Sequence, residues 1–251
     1  MLLAGLGRIV QDLLLWSTAE FDYLRLGDGF VQCSSLMPQK RNPVALEHVR
    51  ALCSKALGQT QAVFTTVHNT PFGDIVDTED DLQPLVFSMF HDATRAVGLV
   101  AAAMRTAEFD AERLKARAAD GGTTLTELAD TLVRDHGLPF RTAHRIVARL
   151  VPAERVKGAD RERPLAERLA EASTEVLGAP LSYSEAALAE MLSPMHFITV
   201  RKTPGGPAPE ETAEALSLSH AELEADQAWW RNVTRTLTDA EQRLAARSAA
   251  L

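Results

Sequence analysis

One short stretch holds residue types able to do chemistry together: Cys33-Ser34-Ser35-Leu36-Met37-Pro38-Gln39-Lys40-Arg41-Asn42-Pro43. Two hydroxyls stand side by side at Ser34 and Ser35, and a lysine follows at Lys40. Asn42-Pro43 has the composition of a helix start, with Asn42 as the cap and Pro43 at the first helical position. A helix N-terminus presents backbone N–H groups that have no partner inside the helix. Together with an ammonium and an amide they favour an anion such as a carboxylate. The same positive field eases ionisation of a nearby hydroxyl. On chemistry alone two readings stand. One is an ordinary serine-rich loop before a helix; the other is a carboxylate site with a reactive serine beside it.

The elements that must position this stretch read as helices. Leu2, Leu6, Ile9, Leu13 and Trp16 step by four, three, four and three, an apolar seam on one helix face. No Ser, Thr, Asp or Asn precedes that seam as a cap, so the sequence places the start of this helix before residue 1. Residues 22–42 break the pattern with Gly27, Gly29 and Pro38 and read as a long loop of the functional kind. A helix follows from Asn42-Pro43 to about Thr66, then an irregular stretch from His68 to Thr78. Another long helix begins near Asp80, behind the acidic run Glu79-Asp80-Asp81 that suits the helix dipole. Three long helices joined by loops predict a bundle.

Beyond about Asp110 the helices shorten to 110–119, 125–136, 140–152, 164–177 and 184–192, with Gly121-Gly122 and Gly137 as stops. Residues 193–209 read as a Pro/Gly-rich loop, and a last helix runs from about Pro209 to Arg247. No strand and no internal repeat is evident. The expected fold class is all-α, with residues 1–109 as part of a helical bundle and 110–251 as a second helical domain.

Composition narrows the partners. The 251 residues are 46% apolar, enough for a sizeable core, and carry a net charge of −8. Nucleic-acid binders show a basic patch or stripe. The densest basic stretch, Arg141 to Arg149, alternates with Ala143 and Ile146 as a solvated helix face does, so no nucleic-acid partner is expected. Cys33 and Cys53 give neither a disulfide framework nor metal-ligand spacing, which fits a reducing cytoplasm and no metal. No apolar run approaches the ~20 residues of a membrane span, so no membrane partner is expected. The apolar start lacks the basic region and cleavage site of a signal peptide.

The Cys33–Pro43 run matches Gly-Ser-Ser-x-Met-Pro-x-Lys-x-Asn-Pro at every fixed position but the first, and so resembles the signature loop of the fumarase/aspartase superfamily. Leu125 to Val151, with Leu-Ala-Asp-Thr-Leu-Val and Pro-Phe-Arg-Thr-Ala-His, resembles the C-terminal domain of argininosuccinate lyases. Thr203-Pro204-Gly205-Gly206-Pro207-Ala208-Pro209 resembles that family's late Gly-Gly-x-Ala-Pro turn.

The resemblance covers essentially the whole chain but only the C-terminal half of such an enzyme. It implies an all-α fold, a homotetramer with active sites shared between subunits, and no cofactor. The implied reaction is anti elimination of an amine or guanidine nitrogen from an N-substituted aspartate, argininosuccinate first among them, with release of fumarate. Ser34 is implied as the general base. Lys40 and Asn42 are implied to bind the carboxylate and stabilise the aci-carboxylate, and Glu47 to orient a histidine from another subunit. Ser35, Met37, Gln39, Glu79 and Asp81 are implied to touch substrate. A serine hydroxyl needs pre-organised positive charge to act as such a base.

Three departures stand against the pattern. Cys33 replaces a glycine and gives up backbone freedom. The family's guanidinium-binding segment, Tyr-x-Lys-x-x-Gln-x-Asp-Lys-x-Pro, is matched by Asp74 to Pro84, where only Asp81 and Pro84 hold. A more acidic pocket pairs with a cationic guanidinium, but it equally admits another amine, as in lyases of aminopolycarboxylates or nitrosuccinate. The family's Ser-Arg-Asn-Asp-Gln and His-Thr-His segments are absent. None of the seven histidines has such a context, and His48, adjacent to Glu47, points to a different helix face. The expectation is therefore a fragment of a lyase, one of two chains that share the enzyme, or a truncated non-catalytic assembly module.

Overall fold

The computed structural model describes residues 1–33, 35–37, 39–73, 75–120, 122–151 and 163–250. These residues form ten α-helices and four two-residue strands, and the chain divides into two compact units, 1–115 and 116–251.

The first unit is built on α1 (Leu2–Trp16), α2 (Val44–Thr66) and α3 (Asp77–Met104). Ala45, Leu46, Val49, Cys53 and Ala56 recur at helical spacing on α2 and are buried. They pack with Val10 and Leu13 of α1, Ala96 of α3, and Leu24 and Leu26 of the segment between α1 and α2. The buried stripe of α1 runs through Leu3, Leu6, Val10 and Leu13. Leu2 and Ile9 of the expected seam fall outside it, 75% and 58% exposed, because Val10 rather than Ile9 continues the face.

α2 and α3 run antiparallel. Lys55 pairs with Asp92 at 2.8 Å, Gln59 donates to Ser88 at 2.6 Å, and Thr70 and Thr78 meet at 3.5 Å beyond the turn. By length and composition alone α3 would pass as a membrane span, a test that the core helix of a soluble protein also passes.

The described residues between 22 and 42 include three two-residue strands and a 3-10 turn rather than loop alone. β1 (Leu24–Arg25) pairs antiparallel with β4 (Glu108–Phe109), and β2 (Gln32–Cys33) with β3 (Arg41–Asn42). A 3-10 turn, Asp28–Phe30, lies between the pairs. These pairs correct the strand-free reading; two-residue strands are too short for alternation to show. They also correct the helix start. Asn42 is engaged opposite Gln32, so Pro43 becomes the cap and α2 opens at Val44 without a side-chain cap. Gly27 lies where an added Cβ would stand 2.7 Å from Thr106 Oγ1.

The second unit holds α5 (Leu125–His136), α6 (Phe140–Ala148), α7 (Leu165–Leu177), α8 (Glu185–Met191), α9 (Pro194–Thr199) and α10 (Pro209–Ala249); α4 (Ala111–Ala119) spans the division. Leu128, Leu132, Ile146, Leu150, Leu169 and Leu188 are fully or almost fully buried in its core. Gly137 ends α5 at φ 62°, as the sequence predicts. The expected 193–209 loop contains α9, whose cap is Ser193 accepting from the His196 N–H at 3.1 Å.

Glu127 is 1% exposed, the charged centre of this unit. Arg134 donates to one carboxylate oxygen at 2.5 Å and Arg201 to the other at 2.8 Å. Burial alone would raise this carboxyl, but the hydrogen bonds and charges of Arg134 and Arg201 hold it below the usual carboxylate value.

Candidate active site

The signature stretch is the connection of the β2–β3 hairpin. The register Gln32↔Asn42 and Cys33↔Arg41 brings residue 33 beside residue 41, so that the described residues 35–37, 39 and 40 belong to its connecting loop. A turn closes inside it, with the Lys40 N–H donating to the Met37 carbonyl at 3.0 Å. Arg41 ties the base of the loop to the body of the unit. Its guanidinium donates to Asp28 at 2.7 Å and to the Leu26 carbonyl at 2.9 Å. The hydrogen bond and charge of Arg41 hold the Asp28 carboxyl below its ordinary value. Arg41 is thus committed to structure, while Lys40 beside it makes no side-chain hydrogen bond or ion pair to a described residue.

An open cavity of about 710 Å³ lies under the loop. Met37, Gln39, Lys40 and Asn42, all expected at the site, line it together. Ser35 is on the same loop and exposed, and Glu47 lies exposed on the first turn of α2. Neither lines the cavity among the described residues. Ser34, the implied base, lies outside the described residues, as do Pro38 and Asp74.

Glu79 and Asp81 are not brought to this cavity. They sit on the first turns of α3, at the end where α2 finishes. α2 rises about 1.5 Å per residue, so its ends are roughly 30 Å apart. Within one copy of the chain these two groups of residues therefore cannot touch one small substrate.

The opposite wall of the cavity was not read from the sequence. It is made by Ser17 and Thr18 after α1, by Asp22, and by Arg25 on β1. Asp22 has φ 50°, the only positive value for a non-glycine among the described residues. Aspartate tolerates that region, and such backbone gathers at ligand sites. The break after Trp16 was visible, but not that the chain doubles back. The Tyr23 N–H donates to the Trp16 carbonyl at 2.9 Å, and that bond turns residues 17–22 toward the loop. Arg25, like Lys40, makes no side-chain hydrogen bond or ion pair to a described residue, though its charge also acts on Asp28. The cavity lining therefore sets Arg25, Lys40 and the Asp28-paired Arg41 against one carboxylate, Asp22, a balance that suits an anion with more than one carboxylate. No group of three or more His, Cys, Asp and Glu among the described residues has the make-up of a metal site.

Comparison with known proteins finds lyases. The family described as Argininosuccinate lyase C-terminal matches residues 122–199, and the family described as Lyase matches residues 1–58, which include the hairpin loop. Argininosuccinate lyase 2 of Agrobacterium fabrum is 35% identical over 223 residues, 89% of this chain and 44% of that protein. Argininosuccinate lyase of Methanoculleus marisnigri is 35% identical over 237 residues, 94% of this chain and 47% of that protein. A solved EDDS lyase variant with bound fumarate superposes with a TM-score of 0.81 at 31% identity, over 97% of this chain and 48% of that one. The chain thus spans about half the length of the relatives it matches. On the loop, the C-terminal match and these relatives together, the chain is similar to the C-terminal half of argininosuccinate lyases.

Proposed function

We propose that this chain carries the base-bearing and carboxylate-binding part of a C–N lyase site that releases fumarate from an N-substituted aspartate. Ser34 takes the proton from the carbon beside a carboxylate. Lys40 and Asn42 hold the aci-carboxylate that forms. Its electrons then close the carbon–carbon double bond, and the amine leaves with the bonding pair of the C–N bond. Glu47 orients a histidine that comes from outside this chain.

The observation that carries the reading is the single cavity shared by Met37, Gln39, Lys40 and Asn42, with the Lys40 and Arg25 cations in its lining. At about 710 Å³ it exceeds the needs of a four-carbon diacid and leaves room for the nitrogen substituent. Argininosuccinate is the first substrate to test, since the curated relatives carry that name; EDDS is the second, from the solved neighbour. The roughly 30 Å between the loop and Glu79 and Asp81 supports a homotetramer in which the loop of one copy meets the α3 start of another. A separate chain supplying the other half of the enzyme fits the same geometry. The free thiols of Cys33 and Cys53 support a reducing, cytoplasmic setting.

The test combines the full chain with the remaining half of an argininosuccinate lyase and follows fumarate by ultraviolet absorbance. Turnover of one of the two substrates, lost in Ser34→Ala, is the expected result. Assembly proven by mass with no fumarate from either substrate would overturn the lyase reading and leave an assembly module. Full turnover in Ser34→Ala would move the base elsewhere.

A further inference from the structure

α10 carries a pattern that the lyase chemistry does not use. Its 41 residues include none that is buried. Leu216, Leu223, Trp230, Leu237 and Leu244 recur at every seventh position and are 52–71% exposed. On a straight α-helix a seven-residue repeat drifts by about 20° per heptad, so such a stripe stays on one face only when the helix supercoils around another. Five large apolar side chains in strict register on an exposed helix supply one of the two apolar positions per heptad that a coiled-coil seam uses.

The charges select the partner. From Glu210 to Asp226 the helix has six carboxylates, Glu210, Glu211, Glu214, Glu222, Glu224 and Asp226, and no lysine or arginine. From Gln227 to Ala249 it has Arg231, Arg235, Arg243 and Arg247 against Asp239 and Glu241. The helix dipole rewards acids in the first turn and bases in the last, but its effect ends within those turns. It does not account for Glu222, Glu224 and Asp226, or for Arg231 and Arg235, near the middle. A second α10 laid antiparallel sets the acidic half of each copy against the basic half of the other. A parallel pair sets like charge against like. The stripe is also symmetric about Trp230, so reversing one helix brings Leu216 to Leu244 and Leu223 to Leu237 around a Trp230–Trp230 centre.

We propose that α10 is a self-association element that pairs antiparallel with α10 of a second copy of this chain along the Leu216–Leu244 stripe. The pairing is independent of the lyase reading and of any contact made by α1, α2 and α3.

The experiment uses the full chain with Cys33→Ser; Cys53 is buried. Single cysteines are placed at positions 216, 230 and 244 and treated with a short bis-maleimide. Trp230→Cys should cross-link with itself. Leu216→Cys and Leu244→Cys should cross-link only when the two variants are co-expressed. Adding Leu223→Glu and Leu237→Glu to Trp230→Cys should lower its cross-link yield at least tenfold, with helix content unchanged by circular dichroism. Self-cross-linking of Leu216→Cys would mean a parallel pair and overturn the proposal. So would an absence of cross-links in the co-expressed pair, or a yield unmoved by the two glutamates. None of these readouts depends on fumarate formation.

Discussion

Arg201 donates to the Oε2 oxygen of Glu127 at 2.8 Å across 74 residues of chain, joining the segment after α9 to α5. Arg201 is held in turn by the Phe197 carbonyl at 2.6 Å and by the Phe197 ring, whose centre lies 3.4 Å from the guanidinium carbon. Because Glu127 is buried, replacing its carboxylate by an amide leaves Arg134 and Arg201 to share one neutral acceptor oxygen and turns an NH2 donor toward one of them. Glu127→Gln should cost about 2–3 kcal/mol, less than the ~3–5 of a fully buried pair because both arginines keep some water. Chemical denaturation of the full chain measures it. A loss under about 0.5 kcal/mol, the range of ordinary surface substitutions, would mean that the pair is not formed.

The same residue sets an acid limb. Glu127 has a lower folded than unfolded pKa, so its contribution is present above the ordinary value of 4.5 and is lost as pH falls through the lower folded value. Melting temperature followed from about pH 7 to about pH 3 should fall less steeply in Glu127→Gln than in the parent. Parallel curves would show that other carboxylates govern the acid limb.

Gly206 is constrained by the same arginine. A Cβ there would collide with the Arg201 carbonyl oxygen and stand 2.8 Å from that of Thr203. Both neighbours are backbone and cannot rotate away. Gly206→Ala should therefore destabilise by about 1–3 kcal/mol, as overpacking does. Because the clash moves Arg201, its effect should be less than additive with Glu127→Gln. Strict additivity in the double-mutant cycle would show that the turn and the ion pair are independent.

These residues mark how far the sequence could be read. Helix bounds after residue 110 were legible because glycine and proline punctuate an apolar period; Gly137 at φ 62° is one such stop. The Gly205-Gly206 turn was legible as a motif, but its reason, the approach of the Arg201 carbonyl, lies in tertiary packing. Lys40 and Asn42 were named from their types, Met37 and Gln39 from the resemblance of the loop, and all four line one cavity. Arg25 and Asp22 were not named. What brings them to the cavity is the β1–β4 pairing and the reversal at Tyr23, contacts of two-residue elements that carry no periodicity.

Arg25 and Lys40 should have separable effects in the reconstituted enzyme. On the proposed mechanism Lys40 holds the aci-carboxylate, so Lys40→Met should lower kcat by about 10²–10³, as loss of one such donor does. On the same proposal Arg25 meets a part of the substrate that does not change. Arg25→Ala should raise KM about tenfold with kcat nearly constant, the pattern of lost uniform binding. The effect should be larger for a substrate whose nitrogen substituent carries a carboxylate. Steady-state kinetics on argininosuccinate and EDDS decide it; equal losses of kcat in both variants would place Arg25 at the reacting carbon instead.

The separation of the loop from the start of α3 makes the last prediction. If a site takes Lys40 from one copy and Asp81 from another, the two positions can be damaged in different copies and still leave intact sites. Lys40→Met and Asp81→Asn, each inactive alone in the reconstituted enzyme, should recover activity when co-expressed. In a mixed assembly some sites receive neither substitution. With random mixing, a site that draws on two copies is undamaged in about a quarter of cases, so recovery should approach that fraction of the parent. A control pairing Lys40→Met with Asn42→Ala, two changes at one cavity of one copy, should recover nothing. Recovery in the control, or none in the test pair once mixed assemblies are proven by mass, would mean that Asp81 does not face the loop of a neighbouring copy.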